Sequence, residues 1–291
     1  MPYGHSGEIG DVWKHLPLCD VLKIELPKRY FETNSAFAEY RLEKNSNTEY
    51  GIFHLRANAP MIIQNSAYLR ILSRHDFTKN NGYFGSPALA MTILQKEDTR
   101  FCFHDIEKEP LDDIRRFARK LNLPGRVFTC QGDSISAYLH TDYGLNRDDF
   151  IFIDPYQPFD CNKARETFFD LFELALKKHA RTLLWYGYDN LKARKHIQKK
   201  LHVLSAMLPS TSIHTFDVWQ KAMDEKFCPV NPGVPGCGLA VVNLKVESIQ
   251  SIETYLKAVT EAYREVKFEG NFLSLDSEWL EIVSGSTSVI H

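Results

Sequence analysis

The residues best placed by type and spacing to do chemistry are Asp154, Pro155 and Tyr156, in the stretch Asp149-Phe150-Ile151-Phe152-Ile153-Asp154-Pro155-Tyr156-Gln157-Pro158-Phe159. Phe150 to Ile153 form a short apolar run of aromatic and β-branched residues, which predicts a strand buried on both faces. Pro155 ends that strand, because it brings no N–H to the ladder and holds Asp154 extended. The carboxylate is therefore expected at the C-terminal edge of a strand, where open α/β sheets bind their ligands. A fixed carboxylate beside a backbone carbonyl can accept the hydrogens of an exocyclic amine while an aromatic side chain stacks on the ring that bears it. Taken alone, Asp-Pro is also the mark of an ordinary turn at a strand end.

Two further acids stand in the same register. Asp105 follows Phe101-Cys102-Phe103-His104, and Asp133 follows Val127 to Gly132. Three carboxylates at the ends of parallel strands would line one edge of the sheet. An acid after the second strand can accept both hydroxyls of a ribose, and one after the third an adenine amino group. The set suits an adenosine-containing cofactor, with Glu107 competing with Asp105 for the ribose. Upstream, Arg29-Tyr30-Phe31-Glu32-Thr33 reads as the first strand. Asn34-Ser35-Ala36-Phe37-Ala38 follows as a loop of small residues, to be succeeded by a helix in a nucleotide-binding turn.

These residues need a scaffold, and the α/β rhythm predicts one. Asp11 is expected to cap a helix whose apolar residues Val12, Leu16, Cys19 and Leu22 recur at helical spacing. Lys14 and His15 fall in its first turn, where a cation opposes the helix dipole and hints at an acidic partner. Residues 45–81 break the rhythm and read as an inserted subdomain carried above the sheet. Ser86-Pro87 opens a helix running to about Gln95. Strands are expected at 100–104, 126–130, 150–153, 182–186, 212–216 and 239–244, with helices at 111–121, 163–179 and 191–204 between them. This alternation predicts a doubly wound, mainly parallel sheet in a single domain over 1–291. The last dozen residues are expected to fray.

With 35 Lys and Arg against 37 Asp and Glu in 291 residues, the net charge of −2 excludes a uniformly basic surface. A nucleic-acid partner would need a local patch, and Lys192, Arg194, Lys195, His196, Lys199 and Lys200 supply one on the predicted 191–204 helix, beside Lys177, Lys178 and Arg181. No apolar run reaches membrane-spanning length, and the first residues lack a signal-peptide order, so a cytoplasmic protein without a membrane partner is expected. The six cysteines include no Cys-x-x-Cys pair, which favours reduced thiols and no metal. A monomer or weak dimer is expected.

Several blocks, taken in order, carry a resemblance. They are Tyr3-x-His5-Ser6 with Asp11-Val12-x-Lys14-His15, then Tyr30-Phe31-Glu32-Thr33, Gly85-Ser86-Pro87, Ile153-Asp154-Pro155, Leu184-Trp185-Tyr186, and Gly238-Leu239 leading to Val242-Asn243. Over nearly its whole length the chain resembles the bacterial S-adenosylmethionine-dependent methyltransferases of the RlmJ type, which modify adenine N6 in large-subunit ribosomal RNA. The resemblance implies a Rossmann-like class I methyltransferase fold, with a seven-stranded sheet and a helical insertion after the first strand. It also implies S-adenosyl-L-methionine as cofactor and a nucleic-acid base as methyl acceptor, in ribosomal RNA or in DNA. Tyr3, His5 and Lys14 match the family's N-terminal active-site motif. Asp154, Pro155 and Tyr156 match its catalytic motif, and Glu32, Asn34, Ala36, Asp105, Asp133 and Asp154 fall on its cofactor positions.

Two departures shape the expectation. Ala36 and Ala38 replace the family's two loop glycines, and left-handed geometry at both would cost about 1–2 kcal/mol each, so the loop is expected to be reshaped or the cofactor weakly held. Asp154-Pro155-Tyr156-Gln157 replaces Asp-Pro-Pro-Tyr, so the Tyr156 carbonyl is expected to accept an amino hydrogen and Tyr156 or Phe159 to stack. The altered loop also supports a second reading, in which the fold survives without catalysis as a nucleic-acid-binding or interaction module.

Overall fold

β1 (Arg29–Glu32) lies deep in a sheet, and everything that concerns the site is arranged around its C-terminal end. The computed structural model describes residues 6–74, 81–208, 211–223, 233–268, 271–283 and 286–290. After β1 come the short β2 (Glu39–Arg41) and β3 (Gly82–Phe84), then β4 (Arg100–Asp105), β5 (Val127–Gln131), β6 (Asp149–Ile153), β7 (Arg181–Tyr188), β8 (Ile213–Gln220) and β9 (Gly236–Val242). A two-residue pair, β10 (Lys267–Phe268) and β11 (Asn271–Phe272), precedes β12 (Leu275–Val283) and β13 (Ser286–Ile290).

Nine of these form one sheet in the order β13-β12-β8-β9-β7-β6-β1-β4-β5. The pairs from β5 through β4, β1 and β6 to β7 are parallel, while β9 runs antiparallel to both β7 and β8. β8 therefore shares the direction of β7, and the expected seven strands make the mainly parallel Rossmann-like sheet of the class I methyltransferase fold. Two strands were not expected. β12 and β13 extend the sheet as an antiparallel pair instead of fraying, with β12 pairing along β8. Its charged residues Asp276, Glu278 and Glu281 obscured it, because they fall on both faces of the strand and break the apolar alternation that marks one. Inward-facing Leu280 and Ile282 are buried, and Trp279 stacks on Phe216 at 5.6 Å between ring centroids.

The segment after β1 also differs from expectation. No helix follows the 33–38 loop; β2 pairs antiparallel with β3, and the two bracket the insertion. The insertion is a run of short helical pieces between Ser46 and Arg74. The crossover helix, Ser86–Ile93, comes only after it, with Pro87 in its first turn, where a missing N–H costs nothing.

Apolar clusters cover both faces. One joins the N-terminal helix Ile9–Glu25 to the insertion (Ile52, Leu55, Ile63, Leu72) and to Phe101, Phe103, Phe150 and Phe152 of the sheet. The other packs Leu171, Phe172, Ile197 and Leu201 on Phe31, Ile151, Ile153 and Leu184. β6 is buried along its whole length because successive side chains feed opposite clusters. Among the described residues, no helix is long and apolar enough to cross a membrane.

Candidate active site

The end of β6 is tied to the end of β1 through the backbone. Thr33 N donates to Phe152 O at 3.1 Å, and Asp154 N donates to Thr33 Oγ1 at 3.1 Å. Asp154 thus leaves the sheet at a fixed point, with Pro155 buried behind it. Its Oδ2 accepts a 2.7 Å bond from Lys14 Nζ, while Oδ1 is buried with no hydrogen-bond partner among the described residues. Lys14 also lies 3.1 Å from Asp11 Oδ1 and 4.7 Å from the centre of the Trp185 ring.

Asp11 is not the helix cap. The helix begins at Ile9 with Glu8 in the capping position, and Asp11 lies within the first turn, accepting from Gly7 N at 2.8 Å. That placement turns its carboxylate towards Lys14 at i+3. Burial by itself would depress the Lys14 ammonium, but Asp154 and Asp11 outweigh it and raise its pKa above the ordinary lysine value. Burial raises the Asp154 pKa against the opposing pull of Lys14, whereas for Asp11 the Lys14 ammonium, helped by the Gly7 N–H, overcomes burial and lowers it. His15 is buried and neutral, its pKa pushed down to about 3 by burial, and bonds Tyr83 at 3.0 Å.

A cavity of about 570 Å³ opens beside this pair, a volume suited to a cofactor or small ligand. Lys14, Asn34, Ala36, Asp154 and Tyr156 line it, so the structure brings five of the expected site residues together. Glu8, Asp11, Tyr40, Asn47, Trp185 and Asp189 also line it and were not expected. Asp11 carried a signal, its i,i+3 spacing from Lys14, that the capping interpretation absorbed.

Of the two residues expected to stack, Tyr156 is the one that lines the cavity. Its hydroxyl donates to Asp189, and its ring lies across β7 at Gly187, where a methyl group would stand 2.3 Å from Tyr156 Cε2. Phe159 packs instead on Phe169 and His196, at 5.1 and 5.4 Å between centroids. The Tyr156 carbonyl accepts Gly187 N at 2.8 Å, so the expected acceptor is engaged with β7, and the acceptor left without a donor among the described residues is the buried Asp154 Oδ1.

The other expected acids, Glu32, Asp105 and Asp133, do not line the cavity. Glu32 is fully buried, hydrogen-bonded through Oε1 to Ser86 (2.6 Å) and through Oε2 to Tyr30 (2.7 Å). Burial pushes its pKa up to about 8 against those bonds, which makes it a neutral structural group at pH 7. Asp105 accepts from Ala36 N and Glu107 N, both at 2.9 Å, and so holds the 33–38 loop on the end of β4. Asp133 caps the helix Ser134–His140 and accepts from Asn162 Nδ2 at 2.7 Å. Of the two loop alanines only Ala36 is left-handed, with φ 54°; Asn34, at φ 51°, is the second such position.

The basic helix Leu191–Met207 divides by face. Lys192, Lys195, His196, Lys199 and Lys200 are exposed. Arg194 is not available to phosphate: it is buried, pairs with Glu278, lies 3.5 Å from Asp217 and stacks 4.2 Å above the Trp219 ring. Tyr3 and His5 lie outside the described residues.

No protein-family model matches this chain, and no curated protein does. Among solved structures, it is similar to a Legionella pneumophila protein assigned to family DUF519, at 20% identity and a TM-score of 0.67, covering 94% of this chain and 97% of that one. Weaker likenesses are to the O-methyltransferase TomG of Streptomyces achromogenes, in complex with SAM (14%, TM-score 0.42, 79% of each chain). Another is to a Bacillus cereus O-methyltransferase in complex with SAH (15%, TM-score 0.40, 79% and 80%). At such identities the first likeness speaks for the fold alone.

Proposed function

We propose that this protein is an S-adenosylmethionine-dependent methyltransferase whose acceptor is an exocyclic amine of a nucleic-acid base, with adenine N6 of ribosomal RNA the acceptor its resemblance implies. The observation that carries this reading is the buried Oδ1 of Asp154, without a hydrogen-bond partner among the described residues, on a residue lining a cavity that also presents the Tyr156 ring. A buried carboxylate oxygen without a donor is costly, and an amine N–H is the partner its chemistry calls for.

The residues present fit the cofactor. Lys14 offers a cation to its carboxylate, Asn34 and Ala36 border the same cavity, and Asp105 stands at the neighbouring strand end beside exposed Ile106. When bound, S-adenosylmethionine would supply an electrophilic methyl group. Asp154 Oδ1 would take one amine hydrogen and fix the direction of the nitrogen lone pair. Tyr156 would cover the ring, its plane held by Asp189 and by the bare backbone at Gly187. Lys14 stays charged, so it steadies Asp154 rather than acting as a base. Positioning of this kind is most of what transfer to a nucleophilic nitrogen requires. The exposed lysines of the 191–207 helix provide a surface that can track phosphates.

One observation favours a non-catalytic nucleic-acid-binding module instead: the Asp105 carboxylate is engaged by the backbone of the loop that would cradle the cofactor. Calorimetry with S-adenosylhomocysteine, followed by methyl incorporation into RNA and mass analysis of the modified nucleoside, separates the two. Saturable heat and a methylated amine are expected. Absence of binding at millimolar ligand would overturn the methyltransferase reading.

A further inference from the structure

Away from the cavity, two adjacent strands bring three soft or borderline ligands to one point. Cys102 and His104 alternate on the same face of β4, and His104 stands in register with Cys130 of β5. Cys102 Sγ is 3.9 Å from Cys130 Sγ and 3.9 Å from His104 Nδ1, and the three ligand atoms all lie within 4.8 Å of one another. A tetrahedral zinc centre with bonds of about 2.3 Å to sulfur and about 2.0 Å to nitrogen places S···S at about 3.8 Å and S···N at about 3.5 Å. Two of the three edges already approach these lengths.

The surroundings suit a ligand set. His104 is buried, which limits its ring to few orientations, while both cysteines are partly accessible, so an ion can enter. Tyr143 OH lies 3.4 Å from His104 Nε2, the nitrogen that would carry the proton if Nδ1 faced a metal. Tyr138 OH is 3.1 Å from Nδ1; it would give up that contact, and its hydroxyl or a water would stand at the fourth corner.

We propose that Cys102, His104 and Cys130 form a binding site for one thiophilic divalent cation of the zinc class. Loading the ion releases two thiol protons, and the dithiolate–imidazole set then carries no net charge with the bound dication. The ligands come from strands 28 residues apart, so no Cys-x-x-Cys spacing announces the site. The bound ion would clamp β4 to β5 just below Asp105.

The test uses the reduced full-length protein with zinc and with cobalt(II) as probes. In the wild type, one equivalent of zinc should protect Cys102 and Cys130 together from alkylation, as read by peptide mass mapping, while exposed Cys161 keeps reacting. Cobalt should give a thiolate charge-transfer band saturating at one equivalent. Cys102→Ser and Cys130→Ser should each weaken cobalt binding at least about 100-fold, with Cys161→Ser unchanged. Unaltered alkylation of Cys102 and Cys130 in zinc-treated wild type would overturn the proposal even if the variants fail to fold. A full-strength band in a folded Cys102→Ser/Cys130→Ser protein would do the same.

Discussion

Lys14 Nζ stands 2.7 Å from Asp154 Oδ2 across 140 residues of sequence, and the same ammonium lies 3.1 Å from Asp11. One cation thus serves two largely buried carboxylates. Lys14→Met would leave both anions facing each other and should cost about 3–5 kcal/mol, the usual penalty for breaking a buried pair. Asp154→Asn leaves Lys14 paired with Asp11 and should cost only about 1–3 kcal/mol. Urea denaturation measures both; equal losses would mean that the cation is not shared.

Asp154→Ala tests the acceptor role separately. The backbone N–H of residue 154 would still reach Thr33 Oγ1, so the strand end is kept. Losing a charge-assisted hydrogen bond is worth roughly 1.5–3 kcal/mol. Methyl transfer should therefore fall about tenfold to a hundredfold while S-adenosylhomocysteine affinity holds. Full activity in a folded variant would remove Asp154 from the chemistry.

Ala36 and Ala38 should respond in opposite directions to glycine. At φ 54° Ala36 carries the left-handed penalty, so Ala36→Gly should stabilise the protein by about 1 kcal/mol, glycine's chain entropy offsetting part of the gain. Ala38 is buried and outside that region, and Ala38→Gly should destabilise by about 0.5–1 kcal/mol. Thermal denaturation of the pair decides it.

Glu32 makes stability depend on pH with a definite sign. Its folded pKa, about 8, lies above the ordinary 4.5, so between those values the native state holds a proton that the unfolded chain releases. Stability should fall as pH rises through that window, at no more than about 1.4 kcal/mol per pH unit, and level off above it. Glu32→Gln should flatten this part of the profile; an unchanged slope would show that Glu32 titrates normally.

The two faces of the 191–207 helix should separate cleanly. Reversing charge at Lys195 and Lys199 should weaken RNA binding and reduce the salt slope by about 0.7–0.9 per lost phosphate contact. Folding stability should stay within about 0.5 kcal/mol. Arg194→Ala should instead cost about 3–5 kcal/mol, because Asp217 is left buried without its cation, and leave the salt slope alone. A salt slope unaltered by the lysine reversals would make that face a solvated surface.

Much of this protein is legible locally. The apolar run 150–153 closed by Asp154-Pro155 specifies a buried strand and the position of one carboxylate at its end, because strand propensity and proline's missing N–H act within a few residues. The seven strands follow from the same alternation of periods, whereas their order in the sheet and the antiparallel direction of β9 were decided by tertiary packing. Other features depended on partners distant in sequence. Glu32, Asp105 and Asp133 look alike as acids at or near strand ends, yet the fold surrounds them with Ser86 and Tyr30, with the Ala36 amide, and with a helix terminus, so none lines the cavity. Arg194 sits among lysines, but helical rotation turns it inward to Asp217 and Trp219. Lys14 and Asp154, Tyr156 and Gly187, and the cluster of Cys102, His104 and Cys130 were all settled by tertiary structure. Their proximity arises only when the sheet sets remote strand ends and helices a few ångströms apart, and burial then decides which charges must be paired.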